Sequence, residues 1–188
     1  MEIVQYPRGR ADQALRAQLI ELENTAWPSD VPAEKEVFPV EPDTYVTSFV
    51  LMADSAAVCH AAVRRKRLLH KGDVYLAYGL SEVVTHPDWR GRGLGTRLLR
   101  HALKFIERQE PDISLFTCAA DRVSFYTRGG WSAMPGTCLV GGTEAEPFRS
   151  DALGLTVMAR FHSVRAESRR ADFENADIYL RLGKNQLW

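Results

Sequence analysis

Between Leu80 and Thr96 the chain reads Leu80-Ser81-Glu82-Val83-Val84-Thr85-His86-Pro87-Asp88-Trp89-Arg90-Gly91-Arg92-Gly93-Leu94-Gly95-Thr96. A β-rich run enters a glycine-rich turn, and a helical pattern leaves it. Gly91, Gly93 and Gly95 remove side chains where the helix begins, so a ligand can approach the backbone. A helix start carries unpaired N–H groups and the positive end of the helix dipole, and both favour an anion. Arg90 and Arg92 add guanidinium donors suited to a diphosphate. On the incoming strand Glu82 is a carboxylate, and further along Tyr126 is a phenol. Each has a plainer alternative. The turn could be a strand-to-helix connection with surface arginines, Glu82 a salt-bridged strand residue and Tyr126 an aromatic packed on a sheet.

These residues need elements to position them. Glu2 to Tyr6 reads as an edge strand, and Ala11 to Glu23 as a helix carrying Leu15, Leu19, Ile20 and Leu22. Trp27-Pro28-Ser29-Asp30 stops that helix, and the acidic, Pro-containing stretch to Asp43 reads as a loop. Tyr45 to Met52, Ala57 to Leu68 and Val74 to Thr85 form three strands of an antiparallel meander, turning at Asp54-Ser55 and Lys71-Gly72-Asp73. From Gly93 to Gln109 the period becomes helical, with Leu94, Leu98, Leu99, Ala102, Leu103 and Ile106 on one stripe. Ile113 to Cys118 is a short strand, Asp121 to Thr127 a short helix ended by Gly129-Gly130, and Trp131 opens another strand. Gly141 to Pro147 reads as a polar loop, and Leu155 to Ala159 and Asp177 to Leu182 alternate like strands. Side chains alternate along a strand, so Ser81 and Glu82 should face opposite sides.

Composition narrows the function. The chain has 188 residues, 45% of them hydrophobic and 26% charged, which suits one globular domain, α+β by the element order just given. Lys plus Arg and Asp plus Glu are both 24, so the formal charge is zero and the basic excess of a general nucleic-acid binder is missing. No apolar run has the ~20 residues needed to cross a bilayer, and Met1-Glu2-Ile3-Val4-Gln5 is no secretory signal, so the expected location is the cytoplasm. Cys59, Cys118 and Cys138 form neither a disulfide framework nor a metal pair. The five histidines, His60 among them, have no ligand-like spacing, so no metal site is expected. The run Arg64-Arg65-Lys66-Arg67 reads as a solvated face or an adenosine-phosphate contact.

Three phosphate-binding patterns compete for the glycine turn. A Walker loop ends in Gly-Lys-Ser/Thr, and Gly95-Thr96 lacks the lysine. A dinucleotide fold needs GxGxxG after the first strand of a βαβ unit, and here the spacing differs and three strands precede it. Arg90-Gly91-Arg92-Gly93-Leu94-Gly95 instead matches Gln/Arg-x-x-Gly-x-Gly/Ala and resembles the acetyl-CoA pyrophosphate loop of the GNAT N-acetyltransferase superfamily. Ser124-Phe125-Tyr126-Thr127-Arg128-Gly129-Gly130-Trp131 resembles the second signature of that superfamily, and the element order agrees. The resemblance covers residues 45 to 135 closely and the rest loosely.

The resemblance implies an α+β GNAT acyl-CoA N-acyltransferase fold over residues 1–188, with a mixed, mostly antiparallel sheet flanked by helices and splayed at its fourth strand. It implies acetyl-CoA as co-substrate. The pantetheine arm would pair with the backbone of Val83, Val84 and Thr85 as an added strand. The diphosphate would lie on the N–H groups from Arg90 through Gly91, Arg92, Gly93, Leu94 and Gly95 to Thr96. Acetyl would pass directly to a primary amine, with the Val83 N–H stabilising the developing oxyanion and Tyr126 protonating the departing thiolate. Relatives carry a glutamate at the position of Ser81, so Glu82 is shifted by one or the strand bulges. Glu82, a water or the C-terminal carboxylate is the candidate base.

The ending Asp177-Ile178-Tyr179-Leu180-Arg181-Leu182-Gly183-Lys184-Asn185-Gln186-Leu187-Trp188 resembles that of the aminoglycoside 2′-N-acetyltransferases. In that family the terminal carboxylate meets substrate ammonium groups, which implies the same for Trp188. A polycationic acceptor needs an acidic site, and Glu34, Glu36, Asp43, Glu82, Asp177 and Trp188 are the candidates. A peptide or protein amine as acceptor, or a non-catalytic acyl-CoA-binding module, are the alternatives. GNAT relatives are often homodimers.

Overall fold

In the computed structural model, residues 1–7, 11–28 and 45–188 are described. Glu34, Glu36 and Asp43, and most of the acidic stretch that carries them, lie outside the described residues. The chain divides into two compact units, one of Met1–Arg64 with Leu80–Ala102, the other of Arg65–Gly79 with Leu103–Trp188.

The first unit opens with strand β1 (Glu2–Pro7), antiparallel to β2 (Tyr45–Ala53), with Val4 opposite Val50. Between them in sequence lies helix α1 (Gln13–Asn24), whose first turn is closed by Asp12 accepting from the Leu15 N–H at 2.8 Å. Leu19, Ile20 and Leu22 are its buried residues. Strand β3 (Ala56–His70) follows a two-residue turn in which Asp54 and Ser55 both have positive φ, 48° and 68°. Strand β4 (Asp73–Thr85) follows a second such turn at Lys71 and Gly72, φ 49° and 86°. Two left-handed residues in succession twist a hairpin turn with the hand of its strands, which is why both connections are so short. After β4 a turn of 3₁₀ helix, Pro87–Trp89, leads into α2 (Leu94–Glu107). All six apolar residues of the predicted stripe on α2 are buried. Each fully buried Leu or Ile contributes about 1.5–3 kcal/mol, so this face anchors the helix firmly. Phe49 of β2 meets His101 of α2 edge-on, centroids 5.6 Å apart.

In the second unit, β5 (Ile113–Ala119) pairs in parallel with β4 at Ala77–Ile113 and Tyr78–Ser114. On its other side it runs antiparallel along the whole of β9 (Leu155–Phe161). A 3₁₀ turn, Ala120–Arg122, leads into α3 (Val123–Gly129), which ends at Gly130 with φ 114°, and β6 (Ser132–Ala133) pairs with β9. Strands hydrogen-bond in the order β1-β2-β3-β4-β5-β9-β6, a mixed and mostly antiparallel sheet.

The expected polar loop from Gly141 is instead a hairpin. Strand β7 (Cys138–Gly142) turns back as β8 (Pro147–Arg149), with Glu146 N–H donating to Thr143 Oγ1 at 3.0 Å inside the turn. The charged segment after β9 forms two short helices, α4 (Val164–Ser168) and α5 (Arg170–Phe173). The last expected strand is shorter than its alternation suggested. β10 (Asp177–Tyr179) joins not the large sheet but β7, in a separate order β10-β7-β8. Among the described residues no helix is long and apolar enough to cross a membrane.

Candidate functional site

The glycine turn is shaped by its own arginines. Arg90 Nε donates to the Thr85 carbonyl at 3.0 Å, and an Arg92 Nη2–H donates to the Asp88 carbonyl at 2.9 Å. Arg92 also lies over the Trp89 ring, 4.8 Å from its centroid. These bonds use one edge of each guanidinium, and both residues remain exposed. Gly91 and Gly93 have φ +74° and +73°, a conformation that favours glycine, and open space lies where a Cβ would stand. Helix α2 closes its first backbone bond from Arg97 N–H to the Gly93 carbonyl at 3.0 Å. The amides of Leu94, Gly95 and Thr96 precede that ladder, and such amides are the anion donors of a helix start.

Upstream, β4 departs from regular strand geometry at one residue. Glu82 has φ 55°, left-handed for a non-glycine, which costs about 1–3 kcal/mol unless its surroundings hold it. The consequence corrects the expected alternation. Ser81 and Glu82 both reach Arg64, whose Nε donates to Ser81 Oγ at 2.9 Å while Nη2 donates to Glu82 Oε1 at 3.2 Å. The left-handed residue thus leaves two neighbouring side chains at one guanidinium. Arg64 is therefore no solvated residue of a basic face but 7% exposed and turned inward. Lys66 of the run is tied as well, donating to the Arg181 carbonyl at 3.2 Å. Val84 is buried, and Thr85 Oγ1 accepts from the Cys59 thiol at 3.2 Å.

A histidine that sequence spacing dismissed belongs here. His60 is fully buried, with Nδ1 3.0 Å from Glu23 Oε1 and Nε2 3.1 Å from Ser48 Oγ. Side-chain donor atoms of Glu23, His60 and Glu82 all lie within 4.8 Å of one another. The even spacing of His60 and Arg64 along one strand was the only available sign, since it puts both on one face. Nothing in the sequence joins that face to Glu23 or Glu82.

In the second unit Tyr126 packs edge-on to Phe116, centroids 4.8 Å apart, and to Phe125 at 5.0 Å. Burial, aided by nearby Cys118, pushes its phenol well above the ordinary range, so it keeps its proton at neutral pH. Burial also raises the Cys118 thiol to about 11, so it holds no thiolate to act as a nucleophile at neutral pH. Thr117 of β5 holds the Trp188 carbonyl with its N–H at 2.9 Å and its hydroxyl at 2.6 Å. The Trp188 indole lies against Gly79, where a Cβ would come within 2.2 Å of the ring. Asp177 makes a two-point pair with Arg149, at 2.6 and 2.9 Å, and Arg149 is shared with Asp151.

Solved structures of similar fold include an acyl-CoA N-acyltransferase from Pseudomonas aeruginosa, 17% identical with TM-score 0.56, over 85% of this chain and 98% of that one. ElaA from Escherichia coli is 16% identical with TM-score 0.57 over the same shares. An aminoglycoside 6′-N-acetyltransferase complexed with coenzyme A is 14% identical with TM-score 0.56, over 87% of this chain and 98% of that one. These identities speak for the fold alone. No curated protein matches the chain significantly. Residues 10–134, well over half of the sequence, match the family described as Acetyltransferase (GNAT) domain, and the chain belongs to that acetyl-CoA-dependent acyltransferase family.

Proposed function

We propose that the chain moves acetyl from acetyl-CoA directly onto a primary amine of a small polycationic acceptor, with an aminoglycoside as the leading candidate. The start of α2 carries this reading. Its amides stand ahead of the helical ladder, its turn glycines leave open space, and two exposed guanidinium groups flank it. That donor set fits a diphosphate. The Arg90-to-Thr96 amides would hold the diphosphate, and the backbone of Val83, Val84 and Thr85 the pantetheine arm. Bound acetyl-CoA supplies an activated thioester.

The remaining tasks fall to this chain. Glu82 takes the proton of the ammonium, because only the neutral amine attacks. The Val83 N–H donates to the oxyanion as it develops. Tyr126, still protonated at neutral pH, gives its proton to the departing thiolate. The acceptor class is supported by the C-terminal resemblance to aminoglycoside 2′-N-acetyltransferases, which would set Trp188 toward the substrate; Glu34, Glu36 and Asp43, the other acidic candidates, lie outside the described residues. Asp177, already paired with Arg149, is the weakest member of that set.

A CoA-release screen across aminoglycosides, polyamines and peptides tests the reading. Turnover with at least one aminoglycoside is expected, and Glu82→Gln should lower kcat by about 10²-fold or more. Turnover confined to peptides would replace the acceptor class, and CoA binding without any turnover would reduce the protein to a binding module.

A further inference from the structure

The solvent side of α2 carries a row of cations that CoA alone does not account for. Arg97, Arg100, Lys104 and Arg108 are all exposed and follow one another at three- and four-residue steps. At 3.6 residues per turn they fall within an arc of about 80° and along about 16 Å of helix. Arg108 N–H still donates to the Lys104 carbonyl at 3.3 Å, so it continues the last turn. The buried stripe from Leu94 to Ile106 fixes the opposite face and so holds the row outward. Among the described residues none of the four side chains has a carboxylate partner or a hydrogen bond. Glu107, the one acid of α2, pairs with Arg160 at 2.9 Å instead. Exposed cations elsewhere are neutralised: Arg122, Arg149, Arg165 and Arg169 each have a carboxylate oxygen within 3.7 Å. Like charges one turn apart on a helix repel, so an anionic surface that meets the whole row gains four attractions and relieves that repulsion.

A CoA molecule is too small to be that surface. Its diphosphate has the amides at the helix start with Arg90 and Arg92, and its one other phosphate cannot span a row of about 16 Å. The same pantetheine thioester has a second source, in which its phosphate is esterified to a serine of a small acidic protein. Such a donor brings a phosphate to the start of α2 and a protein surface to the helix beside it. We propose that the outer face of α2 docks an acidic helix of a carrier protein that delivers acetyl as a phosphopantetheine thioester. The proposal rests on the acetyl-transfer reading above and adds a second donor to it. A helix with one carboxylate per turn repeats at 5.4 Å, close to the mean step of the cations, so one face of the partner meets the row in register. An anionic bilayer or a nucleic-acid strand carries no pantetheine to follow the turn, so the two neighbouring features favour the carrier. In the transfer, the amine nitrogen forms the N–C bond as the C–S bond breaks, and sulfur keeps that electron pair. Tyr126 protonates the sulfur, Glu82 holds the proton that the amine lost, and the carrier leaves as its free thiol.

Fluorescence anisotropy tests the docking without turnover, with a labelled bacterial acyl carrier protein bearing its phosphopantetheine arm as the probe. The wild-type chain should bind it with an affinity that falls as salt rises. Arg100→Glu combined with Lys104→Glu should weaken that binding about tenfold or more, with the calorimetric Kd for CoA unchanged. A carrier that the wild-type chain ignores, or that the double variant binds equally well, overturns the proposal. Arg97→Gln combined with Arg108→Gln, which reverses no charge, should show a smaller loss in the same direction and serves if the first variant folds poorly. With an amine accepted in the CoA-release screen, the Glu double variant should lower kcat/KM about tenfold or more for the acetyl-carrier and leave it unchanged for acetyl-CoA. Equal losses with both donors assign the row to CoA and overturn the carrier. Binding to vesicles of phosphatidylglycerol and phosphatidylcholine, or to a single-stranded RNA, that the double variant loses while the carrier stays unbound makes the row a membrane or nucleic-acid face and overturns it too. A chain that acetylates no amine from either donor sinks the transfer reading. One that acetylates amines from acetyl-CoA but ignores the carrier sinks the docking face alone.

Discussion

Tyr126 and His162 show how burial sets what a single side chain can do. Tyr126 sits among Phe116, Phe125 and Cys118 and holds its proton, as the acid proposed for a thiolate leaving group must. Tyr126→Phe should therefore lower kcat by roughly 10- to 1,000-fold with CoA affinity unchanged, measured as CoA release against calorimetric Kd. Unchanged turnover would take Tyr126 out of the mechanism. His162 is held neutral by its neighbours. Trp131 Nε1–H donates to Ser114 Oγ at 2.8 Å, so the serine's own hydrogen is directed to His162 Nε2 at 2.9 Å. Burial and nearby Arg160 lower the His162 pKa from 6.5 to about 4. The unfolded chain thus binds a proton here that the folded chain refuses. Stability is full above pH 6.5 and declines as pH falls from 6.5 toward 4. His162→Gln, whose amide oxygen can accept from Ser114 without titrating, should flatten the thermal midpoint across that window; parallel curves for the two proteins would clear His162.

Among the elements, β4 and β5 carry the most constraint. Their parallel ladder has two rungs, at Ala77 and Tyr78, while β5 continues along β9 to Ala119. Thr117, past those rungs, spends its N–H and hydroxyl on the Trp188 carbonyl instead. The indole of Trp188 then occupies the space over Gly79, where a methyl group would collide with it. No left-handed φ is involved there, so the requirement for glycine is steric. Gly79→Ala should destabilise the fold by about 1–3 kcal/mol, read from denaturant midpoints, as overpacking does. A stability equal to wild type would show that Trp188 can move aside at little cost. On β3, Arg64 opposes the strain at Glu82 by binding both Ser81 and Glu82.

Taken as a whole molecule, the chain should gain stability from its co-substrate, because a diphosphate bound at the start of α2 has no counterpart in the unfolded state. At a CoA concentration 100 times Kd the gain is about 2.7 kcal/mol. For a chain of this length that is roughly 5–10 °C in the thermal midpoint, readable by differential scanning fluorimetry. A midpoint that ignores CoA would remove the diphosphate site. The sequence by itself determined what depends on near neighbours. The two hairpin turns, the amphipathic stripe of α2, the strand-to-helix glycine turn and the short Tyr126 helix are written in local propensity and period, and the structure has all four. Where β10 pairs was not written there, because three alternating residues specify a strand but not its partner. The gathering of Glu23, His60 and Glu82 was equally hidden, since they come from three elements that no periodicity links. The inward turn of Arg64 depended on one left-handed residue at Glu82, a backbone choice unfavourable for that residue alone and fixed by the packing around it.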